Sequence, residues 1–163
     1  MPKLLECRWN NPEKGFLPKD ERWWELRSRM VTELVTDCGV YHYEGYAGLC
    51  TDFRSGGPLV DFVMPQAKNM AHIAALFLPH DLNYYGLVPR DEADSLLYQA
   101  MGLCRVAAWR KALVYQGVRI GGANAYSHLG DPLPPKYAAN LGRFSFELRS
   151  TPALEHPCYR IKA

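Results

Sequence analysis

Two hydrophobic stripes of helical period, separated by a very short link, constrain this chain more than any other feature. Over residues 66–85, Ile73, Leu76, Phe77, His80 and Tyr84 recur at intervals of three and four, which sets them on one face of a helix. Ala93, Leu96, Leu97, Ala100, Met101 and Cys104 repeat the pattern in the next stretch. Only Gly86 to Arg90 connects them, and Pro89 with Asp91, Glu92 and Asp94 behind it reads as a helix start. The proline ring presets φ for a first turn, and carboxylates are favoured at the positive end of the helix dipole. So short a link makes the two helices antiparallel neighbours. Pro79 lies inside the first stripe and removes a backbone hydrogen bond at a cost of ~3 kcal/mol. It predicts either a kink or a new turn that begins at Pro79.

The rest of the chain supplies strands and one more helix. Residues 107–121 carry Trp109, Leu113, Val114, Gly117 and Val118 on one side and stop at Gly121-Gly122, predicting a third helix. Residues 40–53 are aromatic and β-prone with Gly39, Gly45 and Gly48 at turn or bulge points, predicting a short, twisted antiparallel hairpin. Phe144, Phe146 and Leu148 alternate as in a late strand. Residues 23–37 fit two templates: Trp24, Leu26, Ser28 and Met30 alternate, while Trp23, Leu26, Met30 and Leu34 form a helical stripe. Pro2, Pro12, Gly15 and Pro18 make residues 1–22 an irregular arm, and 124–142 reads as a proline-rich loop. The expected architecture is one α+β domain, a small antiparallel sheet packed against two or three helices. Its parts are the arm (1–22), a core region (23–126), and the loop and late strand (127–163).

Composition removes several classes of function. A chain of 163 residues fits one domain, and 19 basic against 17 acidic side chains, spread from Lys3 to Lys162, give no cationic surface for nucleic acid. No apolar run approaches the ~18 to 20 residues of a membrane span. Met1 to Asn11 lacks the apolar centre of a signal peptide, so the expected location is a cytoplasm. Five scattered cysteines without a CxxC pair signal neither a disulfide framework nor a zinc site, and they read as reduced thiols.

One constellation could carry chemistry. His80 and Tyr84 are four apart on the buried stripe, and Asp94 lines the edge of the facing helix, so antiparallel packing brings Asp94 to His80. A carboxylate on one imidazole nitrogen fixes the tautomer and makes the other nitrogen a better base. Asp81 projects about 100° away around the helix, toward the loop that holds Gly56 and Gly57. One carboxylate beside loop carbonyls is a candidate Ca²⁺ site. The competing reading is a satisfied buried network, kept because an unpaired buried polar group costs ~1 to 3 kcal/mol. His42, His72, His128 and His156 have no ligand-like spacing and receive no role, and Ser55 lacks the GxSxG elbow of a serine hydrolase.

The order of a Gly-rich loop, a helix with His80-Asp81-Leu82-Asn83-Tyr84, and a second helix with Asp94 resembles the HDxxY arrangement of secreted-type and parvoviral phospholipase A2 domains. This resemblance implies His80 as water-activating base and Asp94 as its orienting carboxylate, with Tyr84 as a supporting phenol. It also implies Asp81 as a Ca²⁺ ligand with the carbonyls of Gly56 or Gly57. That family's paired-cysteine helix motif and GxG loop are absent here. Over 23–126 the chain also resembles a family of small phage and prophage proteins of unknown function. The shared elements are Thr51-Asp52-Phe53-Arg54-Ser55, Pro58, Ala75 to Tyr84, Glu92-Ala93-Asp94 and Gly121-Gly122. This second resemblance implies a phage-encoded α+β protein, favours strands over 23–37, and adds Asp52 as a metal ligand or loop anchor. The expected function is a metal-assisted, phospholipase-like hydrolase of ester or amide bonds acting on a lipid or small ester. The alternative is a noncatalytic phage protein, a virion or tail component or a binder of a host factor, with the His-Asp-Tyr cluster structural.

Overall fold

The computed structural model describes residues 4–10, 16–18, 24–26, 28–36, 39–51, 71–128, 131–132 and 140–149. The strands are β1 (Leu4–Asn10), β2 (Phe16–Pro18), β3 (Trp24–Leu26), β4 (Met30–Thr36), β5 (Gly39–Gly45), β6 (Cys50–Thr51) and β7 (Phe144–Arg149). Between β6 and β7 come the helices α1 (Ala71–Leu82), α2 (Arg90–Leu103) and α3 (Ala108–Gly121). The fold is α+β: antiparallel sheets against helices, with α1 and α2 forming the expected pair and α3 packed on α2.

One sheet runs in the order β1-β4-β5-β7 and a smaller one in the order β2-β3-β6. In the larger sheet Leu34 faces Tyr41 and Thr32 faces Tyr43, while Tyr43 faces Phe146 on the other side. Met30, Thr32, Leu34, Tyr41 and Tyr43 are all buried, forming one inward row at period two. Helix α1 lies against β4 and α2 against β1. Leu78, Leu82, Leu96, Leu97 and Met101 complete the core from the helical side.

The ambiguity over 23–37 resolves as strands. Val31, Thr32, Val35 and Thr36 crowd β4 with β-branched side chains, which fit a pleated surface better than a helix turn. The first 22 residues are not wholly irregular, since β1 and β2 lie within them. In β1 the sequence alternates Leu5, Cys7 and Trp9 with Glu6, Arg8 and Asn10, and the strand pairs antiparallel with β4. Within 40–51, the described part of the expected hairpin, the chain does not fold back on itself. Instead β5 pairs with β4 and β7, and a turn at Tyr46–Leu49 delivers β6 to β3 in the second sheet.

Helix α1 continues through Pro79 and runs into a π-helical turn, Asn83–Leu87. The irregularity therefore falls one turn beyond the proline. Gly86 closes that turn at φ 83, and a side chain there would also meet the carbonyl oxygens of Ser127 and His128. In α3 the expected single face divides: Val114 and Val118 are buried, whereas Trp109 and Leu113 are exposed.

Candidate functional site

His80, Tyr84 and Asp94 meet at the crossing of α1 and α2. Nε2 of His80 lies 3.1 Å from Asp94 Oδ1, and the Tyr84 hydroxyl donates to the same oxygen at 2.7 Å. Asp94 is fully buried and His80 is 5% exposed. The His80 and Tyr84 rings lie 4.3 Å apart between centroids, and Tyr126 packs edge-on against Tyr84 at 5.6 Å. The π turn contributes directly, because the Tyr84 carbonyl accepts from the Ser127 N–H at 2.8 Å.

The second oxygen of Asp94 faces two arginines that the sequence had not singled out. Arg90, four residues earlier on α2, places Nε 3.8 Å from Oδ2, and Arg119 of α3 places a guanidinium nitrogen at 3.3 Å. Arg119 also pairs with Asp91 at 2.5 Å. Arg90 donates to the carbonyls of Val118 and Arg119 at 2.9 and 2.5 Å, tying the start of α2 to the last turn of α3. One buried carboxylate thus joins α1, α2 and α3. The i, i+4 spacing of Arg90 and Asp94 was readable in the sequence; the approach of Arg119 depends on how α3 packs.

Burial alone would raise the Asp94 carboxyl. The hydrogen bonds from His80 and Tyr84 and the charges of His80 and Arg90 outweigh it, holding the group below the ordinary carboxylate range. Tyr84 moves the other way, raised first by burial and then by the carboxylate it bonds. With Nε2 committed to Asp94, the Nδ1 of His80 has no hydrogen-bond partner among the described residues.

Asp81 points away from this cluster, as its place on the helix predicts, and its Oδ2 accepts from the Thr51 hydroxyl. Thr51 ends β6, so this bond ties Asp81 to the point where the Gly-rich segment begins. The other expected calcium ligands, Asp52, Gly56 and Gly57, lie outside the described residues. Among the described residues no group of three His, Cys, Asp or Glu side chains could hold a metal ion.

His42, expected to be without a role, is buried on the other face of the larger sheet. Its ring nitrogens lie 2.8 Å from Glu33 and 2.9 Å from Glu44. Hydrogen bonds from Arg29, His42 and Tyr46 lower the Glu44 carboxyl to about 2. The bond between His42 and Glu33 joins cross-strand partners on β5 and β4 and braces the sheet.

The fold and the site define an α+β domain whose helix pair is locked around an internal His-Asp-Tyr triple. A family model described as a protein of unknown function (DUF1353) matches residues 28–118, more than half of the chain. The chain belongs to that family. No curated protein and no solved structure matches it.

Proposed function

We propose that this protein is a phospholipase-like hydrolase of ester or amide bonds in which His80 is the general base. The observation that supports this reading most directly is the division of labour on the imidazole. Nε2 is held by Asp94, while Nδ1 has no hydrogen-bond partner among the described residues. In this reading Nδ1 takes a proton from water as the water oxygen attacks the carbonyl carbon. The same nitrogen then returns the proton to the departing oxygen or nitrogen. Asp94 stays ionised throughout and stabilises the imidazolium, and Tyr84 fixes the carboxylate that fixes His80. Asp81 supplies the carboxylate of the Ca²⁺ site, where the ion would contribute charge to polarise the carbonyl. The resemblance to phage and prophage proteins supports a phage-encoded setting for this activity.

A second reading is favoured by the burial of Asp94 and His80: the network is internal glue in a noncatalytic phage protein, a virion or tail component or a binder of a host factor. Hydrolysis of a short-chain phosphatidylcholine and of a p-nitrophenyl ester, with Ca²⁺ and with a chelator, separates the two. The hydrolase reading expects turnover by wild type and its loss in a folded His80→Gln variant, whose amide still donates to Asp94. A wild type inert toward both substrates, together with a destabilised His80→Gln, supports the structural reading.

A further inference from the structure

Asn83 opens the π turn and is wholly buried, yet neither its amide nitrogen nor its side-chain oxygen has a hydrogen-bond partner among the described residues. The Tyr43 hydroxyl, at the tip of a ring that is also wholly buried, is unpaired as well. So is the hydroxyl of Thr32, the residue that faces Tyr43 across the ladder of β4 and β5. Four of the seven sealed side-chain atoms that lack a partner among the described residues belong to these three side chains. Tyr43 and Asn83 also feel one another: burial raises the phenol, and the Asn83 amide opposes part of that rise. The orphaned groups thus lie together, between the inward row of the sheet and the turn that follows α1.

Asn83 and Tyr43 cannot satisfy one another. The amide offers two N–H donors and one acceptor oxygen, and the phenol offers one O–H donor and an acceptor oxygen. If Tyr43 donates to Oδ1, both amide hydrogens stay unpaired. If the amide donates to Tyr43, one amide hydrogen and the phenolic hydrogen stay unpaired, and Oδ1 with them. Two buried donor hydrogens are left over in either arrangement, and native interiors almost never leave them so. The Glu92 carboxylate, which also acts on the Tyr43 phenol, is already engaged by the Tyr41 hydroxyl at 2.5 Å. A leucine of similar shape would fill the place of Asn83 without any such demand, so the amide itself calls for a partner.

The chemistry of the groups identifies that partner. It must accept from N–H and O–H donors and also donate to Oδ1. A cation cannot accept from an N–H, and an anion cannot donate to a carbonyl oxygen. A larger ligand has no way in past three side chains that have no exposed surface. We infer that Asn83 and Tyr43 hold buried water between β5 and the π turn, with the Thr32 hydroxyl as a further partner. Such water accepts from the amide and the phenol and donates to Oδ1, which gives it the roughly three bonds usual for water in a protein interior. It ties the sheet to the π turn one residue before Tyr84. The inference needs no catalysis and stands apart from the hydrolase reading, since it concerns the internal hydration of the core.

The test uses the wild-type full chain, labelled with nitrogen-15, and reads magnetisation transfer from water to the Asn83 side-chain amide. Laboratory-frame and rotating-frame spectra are compared, because dipolar contact with a long-lived water changes sign between them and proton exchange does not. The expected result is a dipolar cross-peak from water to the Asn83 amide hydrogens, while the backbone amides of Leu96 and Leu97, buried in the apolar core, show none. A crystal structure that shows ordered solvent should place a water within hydrogen-bonding distance of both the Asn83 amide and the Tyr43 hydroxyl. Two outcomes overturn the inference: an Asn83 amide with no dipolar contact to water, or a crystal structure in which protein groups alone satisfy Asn83 and Tyr43.

Discussion

Gly122 lies so close to the phenol of Tyr84 that a methyl group on its Cα would overlap the hydroxyl and stand 2.9 Å from Cε1. The turn after α3 therefore closes directly over the side chain that bonds Asp94, and only a residue without Cβ permits it. Gly122→Ala should cost about 1 to 3 kcal/mol by forcing Tyr84 off its position. In a Tyr84→Phe background part of that loss should return, because the crowded oxygen is gone. Urea denaturation of the two single variants and the double variant gives the coupling directly. Strictly additive losses would show that the two residues do not press on one another.

Asp91 and Asp94 share the Arg119 guanidinium but differ in surroundings, with side-chain exposures of 86% and 0%. Removing the exposed carboxylate, Asp91→Asn, should change stability by no more than about 1 kcal/mol, as for other surface pairs. Asp94→Asn leaves His80, Tyr84, Arg90 and Arg119 around a neutral amide and should cost about 3 kcal/mol. Comparable losses in the two variants would refute the picture of Asp94 as the hub of the three helices.

The lowered carboxyl of Asp94 makes stability depend on acid in a definite direction. The unfolded chain takes up this proton more readily than the folded one, so the stabilisation is fully present above about pH 4 and is lost as pH falls through the native value. Tyr84 has the opposite sign: its raised hydroxyl means that stability is lost as pH climbs through about 10 and the unfolded phenol ionises first. Urea midpoints followed across pH should show an acid limb that is shallower in Asp94→Asn and an alkaline limb that is shallower in Tyr84→Phe.

How much of this was legible depended on whether a signal was local. The helix pair could be read because Ala93, Leu96, Leu97, Ala100 and Met101 repeat at one period, and all five are buried. His80, Tyr84 and Asp94 followed from the same geometry, since two sit one turn apart and the third faces them across a short link. Strand β1 had an alternating signal of its own in Leu5, Cys7 and Trp9, obscured by the prolines around it; its partner β4 lies more than twenty residues further on. The split faces of α3 could not be read. Trp109, Leu113, Val114 and Val118 are all apolar, and only the position of α2 decides which of them turn inward. Arg119 reaches Asp94 for the same reason, through packing that joins residues far apart in sequence.

Asn140 is the least expected of these long-range ties, because it falls in the stretch that reads as a plain proline-rich loop. It is 1% exposed. Its side-chain oxygen accepts from the Cys50 N–H at 2.8 Å, and its amide donates to the Cys50 carbonyl at 2.7 Å and to the Tyr85 hydroxyl at 2.9 Å. This side chain therefore mimics a strand partner for β6 and fastens it to the π turn beside the site. Asn140→Ala removes three hydrogen bonds, two of them to the half-buried Cys50 backbone, and should cost about 1 to 3 kcal/mol. Hydrogen exchange gives a local check: in Asn140→Ala the Cys50 amide should exchange faster than the global unfolding rate allows, while the amides of α2 follow global unfolding. An unchanged Cys50 amide would mean that β6 is held by its ladder to β3 alone, leaving Asn140 no part in positioning Thr51 against Asp81.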